Sequence, residues 1–338
     1  MLPSRASHLS LDFVFAAAFI LLRKLNAGGL FPRDALLRAL QLSSDEFEAC
    51  IRALREYGVM VRADASGRYT LTEPADMLDA AALASHLHER GTQVRVTVRD
   101  ECASTNALLL AHISDDEFHA QALACELQTA GRGRRGKTWQ SGLADSLIFS
   151  LGWRIKLPVQ ALSGLPLAVA VACAHSLTAL GIDGVAVKWP NDLMRAGAKL
   201  GGILIEIARS EREHTDVVIG IGMNVRARDT LRAGIGQRIA DMGVAGRAMP
   251  SRNLLLVGVL HELEIGLRQF ERSGFRAFKS EWLRLHAFEG RRVRMAMNER
   301  ESIEGLTSGV DDEGALLVLT EGGMRRFHAG EISLREAA

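Results

Sequence analysis

The 338-residue chain contains only four cysteines, and their spacing is not that of a shared metal site or a set of disulfides. Cys50, Cys102, Cys125 and Cys173 lie far apart, and no two of them form a C-x-x-C pair. This spacing argues against a zinc cluster and against a disulfide framework, and it suits a reducing compartment. We therefore expect a cytoplasmic protein.

The sequence also lacks long hydrophobic runs and an excess of one charge. Its apolar run 13–22 is much shorter than the roughly 20 residues that a membrane-spanning helix needs. Arg23 and Lys24 follow this run, where a signal peptide would have small residues, so we expect a buried helix and no membrane contact. Because 41 Lys and Arg balance 40 Asp and Glu, any anion-binding site has to be local.

The N-terminal part, residues 1–78, shows the pattern of a winged helix-turn-helix. Pro32 is placed to start a helix, Ser43 to cap the next one, and Gly58 to end it. Two short strands joined by a glycine-containing turn follow. The predicted elements are helices over 11–25, 33–40 and 44–57, then strands over 59–62 and 69–71.

The remaining chain divides into a linker and two further predicted domains. Residues 79–95 are expected to form a linker with a connecting helix, and residues 96–286 alternate strands with helices, which indicates a mixed α/β core. Residues 287–338 contain several short strands separated by turns, typical of a small SH3-like β-barrel. The expected fold class is therefore α+β and multidomain.

The most informative stretch is the loop 131–137, which holds four cations and three glycines. Glycine lets backbone N–H groups approach phosphate oxygens, and guanidinium groups bind anions through two hydrogen bonds. The pattern favours anion binding. A solvated basic loop and an arginine-rich RNA contact are the alternatives.

Three other segments carry candidate residues. Lys199 enters a glycine-led apolar strand, which would put its ammonium group at the sheet rim beside Asn191 and Asp192. A plain surface lysine on an edge strand is the alternative. The sequence 220–222 is a weak G-x-G signal at a strand end, and the segment 104–106 could simply cap a helix.

Taken together, these motifs resemble those of biotin protein ligases. Ser104-Thr105-Asn106, the GRGRRG loop, KWPNDL, KLGGILIE and GIGMNV occur in the order and spacing of that family, and residues 330–335 look like its last strand. The N-terminal part is similar to that of the bifunctional ligase/repressor branch. The turn after Trp139 departs from the family pattern, because residues 140–146 replace its usual serine-proline and glycine.

The resemblance implies a two-step reaction without an enzyme nucleophile. The biotin carboxylate attacks the α-phosphate of ATP, giving biotinyl-5′-AMP and pyrophosphate, and a lysine of a carrier protein then displaces AMP. The implied catalytic residues are Lys199, Arg132 and Arg134. The implied biotin-binding residues are Ser104, Thr105, Asn106, Gln128, Arg132, Gly133, Arg134, Lys199 and Gly202.

The same resemblance implies a nucleotide site and a set of partners. Asp192 is the candidate contact to Mg²⁺, directly or through water, and the implied carrier is the biotin carboxyl carrier protein of acetyl-CoA carboxylase. A homodimer paired through the edge of the central sheet is also implied. The implied nucleotide-binding residues are Arg134, Arg135, Lys137, Trp139, Asn191, Asp192, Lys199, Gly222 and Asn224.

DNA binding is the second expectation for the N-terminal part, and the charges oppose it. Nine Lys and Arg balance nine Asp and Glu in residues 1–78, and the third helix has a net charge of −2 over residues 43–57. Because phosphate neutralisation supplies most DNA affinity, a protein-contacting or vestigial domain is the alternative. The candidate DNA contacts are Arg52, Arg55, Arg62 and Arg68.

Two rival functions stay open at the level of sequence. A regulator could use the ligase fold only to sense biotin or its adenylate, but such a sensor would not need the full cationic loop and Lys199. A lipoate ligase of related fold would need a longer apolar slot in place of the polar segment 104–106.

Overall fold

The computed structural model describes residues 11–113, 118–243, 246–296, 302–328 and 333–336. The helices are α1 (Leu11–Asn26), α2 (Arg33–Leu40), α3 (Ser44–Glu56), α4 (Ala80–Glu89), α5 (Thr105–Ala111), α6 (Leu165–Ala179), α7 (Asp229–Gly234), α8 (Arg252–Ser273) and α9 (Lys279–Leu285). The strands are β1 (Phe31–Pro32), β2 (Val61–Ala63), β3 (Arg68–Leu71), β4 (Arg95–Cys102), β5 (Gln121–Gln128), β6 (Ser146–Ile155), β7 (Val185–Lys188), β8 (Asp192–Arg195), β9 (Ala198–Ser210), β10 (Thr215–Asn224), β11 (Arg292–Ala296), β12 (Ser302–Val310), β13 (Leu316–Thr320), β14 (Gly323–Phe327) and β15 (Ser333–Glu336).

Helices α1 to α3 and a small antiparallel sheet form the N-terminal part, close to the predicted bounds. The predicted cap at Ser43 is present as a capping box, in which Ser43 N–H donates to the Glu46 carboxylate at 2.7 Å and the Ser43 hydroxyl accepts from Glu46 N–H at 3.3 Å. The sheet order is β1-β3-β2. Strand β1 was not predicted, because two residues are too few to show an alternating pattern.

The central sheet has the order β4-β5-β6-β10-β9-β8-β7, and only its β4–β5 pair is parallel. Alternate residues of β10 pack on opposite faces, as the period of a strand requires. Val217 and Ile219 belong to the main core with α6 and α8, whereas Val218 packs with Leu109 of α5. The sheet is therefore covered on both faces.

Strand β8 was also missed by the sequence analysis, which expected only a turn and a connection before Lys199. Strands β8 and β9 are joined by Ala196 and Gly197, both with positive φ (48° and 72°). Two such residues make the tight turn that suits a β-hairpin. Alanine is unusual at positive φ, so this turn has little signature in the sequence.

The segment 79–95 contains the expected connecting helix as α4, and it packs closely on the central domain. Leu83 and Leu87 of α4 are buried in the main core together with Leu78. In the opposite direction, Leu127 and Leu143 of the central domain are buried in the N-terminal core. Each core thus contains residues from the other side of the junction.

A fully buried ion pair lies at this junction. Arg252, at the start of α8, donates to Glu126 at 2.5 Å, and both side chains are inaccessible to solvent. Arg252 also donates to the carbonyls of Ser146 and Asp76, while the second Glu126 oxygen accepts from Leu78 N–H at 2.5 Å. These bonds satisfy the two buried charges and fix residues 76–78 against the central domain.

The C-terminal part is an antiparallel sheet in the order β14-β13-β12-β11-β15. The short strands expected in residues 287–338 are present as β11 to β15, and β15 covers the described part of the expected last strand. Residues 330–332 lie outside the described residues. The turn at Gly314 contacts the central domain, where Trp189 Nε1 donates to its carbonyl at 3.1 Å. Across the described ranges, no helix is both long and apolar enough to cross a bilayer.

Candidate active site

The residues singled out in the sequence for biotin and nucleotide binding line one cavity of about 910 Å³. The cavity lies at the edge of the central sheet where β4, β5, β7 and β10 end and β6, β8 and β9 begin. Its lining includes Ser104, Thr105, Asn106, Gln128, Arg132, Gly133, Arg134, Arg135, Lys137, Trp139, Asn191, Asp192, Lys199, Gly202, Gly222 and Asn224.

The start of α5 forms a polar floor in the cavity. Ser104 caps the helix, its hydroxyl accepting from Ala107 N–H at 3.4 Å. The Gln128 carbonyl oxygen accepts from the backbone N–H and the hydroxyl of Thr105, at 2.8 and 3.1 Å. Ser150 on β6 lies 2.7 Å from the Thr105 hydroxyl and 2.5 Å from Asn106 Oδ1. These side chains are held in fixed orientations before any ligand arrives.

The cationic loop folds back on itself as a short hairpin over this floor. Gly133 N–H donates to the Lys137 carbonyl at 2.6 Å, and Trp139 N–H donates to the Gly131 carbonyl at 2.8 Å. Arg135 at its tip adopts a positive φ of 57°. The loop therefore presents its guanidinium groups from a defined backbone.

Two arginines of the loop are bound to the sheet. Arg132 donates to Glu206 on β9 at 2.7 Å, and Arg134 donates to Asn191 Oδ1 at 3.1 Å. Burial lowers the pKa of Arg134, while Asp192 opposes this shift. Because the pKa of arginine lies so far above neutrality, the Arg134 guanidinium stays charged.

Lys199 lies at the sheet rim, as its sequence position predicts. Its Nζ atom is 2.7 Å from Asp192 Oδ1, and the two side chains are 22% and 20% exposed. A Cβ atom at Gly202 would lie 3.4 Å from this Nζ, so glycine leaves the ammonium group room beside the strand. The Lys199 ammonium group is thus oriented by a carboxylate and reachable from the cavity.

Two polar atoms in the cavity wall have no hydrogen-bond partner among the described residues. They are Trp139 Nε1, a donor, and Asn224 Oδ1, an acceptor, and both are shielded from solvent. The Trp139 ring packs on β10 where a Cβ at Gly222 would lie 2.5 Å from its Cε2 atom. Buried polar groups are normally paired, so these two atoms point to a polar ligand.

Several lining or supporting residues were not identified from the sequence. Ser150 is one of two serines in the apolar strand β6, and Glu206 is the one glutamate in β9, so neither stands out by pattern. The segment 234–239 lines the cavity after α7, and its Lys199–Ile239 bridge joins it to β9. The G-x-G sequence at 234–236 was the one available signal for that segment.

Metal binding by the protein alone would depend on the acidic residues of the site. Within the described ranges, no group of three or more His, Cys, Asp or Glu side chains is placed to hold a metal ion. Asp192 is the one carboxylate in the described cavity lining, and it is already paired with Lys199. The described residues therefore provide no metal site built from protein ligands alone.

The four candidate DNA-binding arginines lie on the N-terminal part, away from the cavity. All four are exposed. Arg68 is 2.7 Å from Asp64, and Arg55 donates to the Val61 carbonyl at 3.2 Å.

Comparison with known proteins agrees with this geometry. Residues 100–224 match the Biotin/lipoate A/B protein ligase family, and residues 289–335 match the Biotin protein ligase C terminal domain. The bifunctional ligase/repressor BirA of Salmonella typhimurium is 35% identical over 92% of this chain and 95% of its own length. The biotin--[acetyl-CoA-carboxylase] ligase of Mycobacterium tuberculosis is 33% identical over 75% of this chain and 95% of its own length.

A solved structure is similar as well. The biotin protein ligase from Aquifex aeolicus, in complex with biotin and ATP, aligns with a TM-score of 0.63 and 26% identity, covering 73% of this chain and 100% of its own. Matching domain families, near-full-length relatives and a cavity lined by the family's motifs lead to one conclusion: the chain belongs to the biotin protein ligase family.

Proposed function

We propose that this chain is an ATP-dependent ligase that forms biotinyl-5′-AMP and transfers the biotin to a lysine of the biotin carboxyl carrier protein of acetyl-CoA carboxylase. The observation that carries the proposal is the cavity itself. Parts of the chain that are far apart in sequence meet there, and they combine a polar floor, a cationic loop and one strand-borne ammonium group.

In the first step, two anions must be brought together. The biotin carboxylate attacks the α-phosphorus, an O–P bond forms, and the bond to pyrophosphate breaks. Lys199 would stabilise both the carboxylate and the negative charge that develops on the phosphorus oxygens, with Asp192 holding its Nζ in position. Arg132 and Arg134 would bind the biotin carboxylate and the α-phosphate from the side of the cationic loop.

In the second step, the amine of the carrier lysine attacks the biotin carbonyl carbon and AMP leaves with the bonding electrons. The amine must lose a proton to form the amide. The loop would keep the adenylate in place and away from water until the carrier arrives, which is catalysis by positioning.

Each end of the cavity would take one of the two substrates. Thr105, Asn106 and Gln128 form a polar floor that would pair with the ureido group of biotin, and such a site rejects analogues without those groups by roughly 10⁴-fold. Trp139 and Asn224, with their unpaired buried atoms, would face the nucleotide. Mg²⁺ would arrive on the ATP phosphates and neutralise part of their charge, with Asp192 as a contact through water.

Biotin-dependent release of pyrophosphate from ATP by the purified protein tests the proposal. A biotin sensor without turnover would bind biotin and release no pyrophosphate. Competition between biotin and lipoate for transfer to a carrier domain tests the lipoate alternative, and we expect biotin to win.

A second candidate function is repression of transcription, which the names of the BirA relatives favour. Under this proposal residues 1–78 form a winged helix, and Arg52 of α3 and Arg62 of the β2–β3 hairpin reach DNA phosphates. A salt series of DNA binding, with the adenylate present, tests it: operator binding requires an affinity that falls steeply with salt and is lost in an Arg52→Ala, Arg62→Ala variant. DNA binding that changes neither with salt nor in the double variant would argue against repression and leave a protein-contacting role for residues 1–78.

We also propose that two copies pair through the exposed edge of the central sheet at β4. Sedimentation of the protein with and without biotin and ATP tests this, and a monomer at every concentration would refute it.

A further inference from the structure

Glu206 takes no part in the chemistry proposed above, yet it joins two parts of the site. Its Oε2 atom accepts from Asn106 Nδ2 at 2.7 Å and from Arg132 Nη2 at 2.7 Å. Asn106 belongs to the polar floor and is 4% exposed, whereas Arg132 belongs to the cationic loop and has a side chain 43% exposed. One carboxylate oxygen therefore connects the floor of the cavity to the loop above it.

The bond to Asn106 determines which way the amide points. An ionised carboxylate can only accept hydrogen bonds, so the amide nitrogen must face Glu206. The Leu204 carbonyl, 3.3 Å from the same nitrogen, requires the same orientation. Asn106 Oδ1 then faces Ser150 and Gly220, where a Cβ atom would overlap it. A carbonyl oxygen has two lone pairs, so Oδ1 could accept a second hydrogen bond, such as one from a ureido N–H, besides the one from Ser150.

The bond to Arg132 acts on the loop. Glu206 does not line the main cavity but a second one of about 530 Å³, which shares residues 132–138 with it. The loop thus borders two cavities, and like charges within it repel. The Glu206 carboxylate, 25% exposed, offsets one of those charges and attaches the base of the loop to β9.

We infer that Glu206 is a positioning residue of the ligase reaction, one that orients Asn106 for biotin and anchors the loop through Arg132. This inference rests on the proposed function, and it adds a residue to which the resemblance assigned no role. It requires that loss of the carboxylate affect biotin binding and loop order together, with a smaller effect on the rate of the chemical step.

The test compares Glu206→Gln with wild type and with Glu213→Gln, a matched change at an exposed glutamate of the β9–β10 turn. We expect Glu206→Gln to raise the KM for biotin about tenfold or more, the value of a lost charge-assisted hydrogen bond, and to change kcat less. Trypsin should also cut the ligand-free loop at residues 134–137 faster than in wild type. Glu213→Gln should change neither.

Three outcomes decide the matter. An unchanged KM and an unchanged cleavage rate in Glu206→Gln would overturn the inference. So would a KM effect that adds to that of Asn106→Ala in the double variant, because residues acting through one contact are not additive. If Glu206→Gln fails to fold, Arg132→Met serves instead: its exposed side chain is compatible with folding, and a loop cut no faster than in wild type would refute the anchor.

Loop cleavage can be measured without enzyme turnover, so the test distinguishes failure of the proposed function from failure of this inference. A wild type that releases no pyrophosphate refutes the proposed function. Loop cleavage in Glu206→Gln that is no faster than in wild type refutes only the anchoring of the loop by Glu206.

Discussion

At the scale of single residues, Lys199 differs from the other cations of the site because it is carried by a strand and paired with a carboxylate. The backbone of β9 and the Asp192 contact hold its ammonium group independently of the side chains of the loop. Such a preorganised charge stabilises a transition state more than it stabilises bound biotin.

We therefore expect Lys199→Met to lower the rate of biotinyl-adenylate formation by roughly 10²- to 10³-fold, with a smaller loss of biotin affinity. Single-turnover kinetics and equilibrium binding measure the two effects separately. Lys156→Met, at an exposed position outside the cavity, is the control. Near-normal turnover in Lys199→Met would exclude Lys199 from the chemistry.

His119 contributes to the pH dependence of the protein's stability. His119 Nδ1 accepts from Arg154 N–H at 3.1 Å, and its ring lies 4.4 Å from that of Trp153. Burial lowers the pKa of His119, and Arg268, Arg154 and Arg95 lower it further, against Glu271. The native state thus binds a proton less readily than the unfolded chain, whose histidine titrates near 6.5.

The contribution of His119 to the free energy of unfolding should therefore be fully present above about pH 6.5. It should be lost as the pH decreases through that value toward the lower native pKa. Urea unfolding at a series of pH values measures this. We expect the decrease to be shallower in His119→Asn and unchanged in His88→Asn, whose residue is exposed on α4. Identical slopes for wild type and His119→Asn would contradict the assignment.

Residues that repeat or cluster could be found from the sequence, and residues that act alone could not. The loop 131–137 stands out because four cations fall within seven positions. Glu206 and Ser150 matter only because β9 and β6 bring them beside Asn106, and that proximity is set by pairings between strands far apart in sequence. Local composition does not encode it.

At the scale of elements, the same distinction separates helices from short strands. Helices α1 to α3 follow from apolar periodicity and from caps such as Ser43, which are local signals. Strands β1 and β8 exist because partners are available in β3 and β9, so their few residues carry no pattern of their own.

The cationic loop is the element whose role is most directly testable. Arg134 connects it to Asn191, at the end of the cavity that we propose for the nucleotide. We expect Arg134→Ala to keep the fold and to release biotinyl-5′-AMP roughly ten times faster or more, because a charge-assisted contact to the adenylate is lost.

A stopped-flow chase of the prebound adenylate measures this off-rate. The exposed Arg212, in the turn between β9 and β10, provides the control variant Arg212→Ala. Equal off-rates for wild type and Arg134→Ala would argue against a clamping role for the loop.

At the scale of the whole molecule, the junction between the first two domains is an integral part of the structure. Leu127 and Leu143 complete the N-terminal core, and the pair Glu126–Arg252 fixes the segment before α4. Leu143 lies in the turn that departs from the family pattern. The sequence therefore showed that this turn is unusual, but not that it packs against the N-terminal core.

Removing one partner of that pair should be costly. Glu126→Ala leaves a buried guanidinium without its counter-charge, which typically destabilises a protein by about 3–5 kcal/mol. Glu73→Ala, at an exposed ion pair of the same junction, should change the free energy of unfolding by less than about 1 kcal/mol. Denaturant titration distinguishes the two, and equal effects would mean that Glu126 contributes no more than a surface charge.

The bond from Arg252 to the Asp76 carbonyl, 2.7 Å long, limits how this chain can be shortened. A shortened chain that begins at residue 79 would lack the Asp76 carbonyl, which accepts from the buried Arg252 guanidinium. It would also expose Leu127 and Leu143, which pack in the N-terminal core. A usable fragment would have to begin upstream of Glu73 and carry polar replacements at positions 127 and 143.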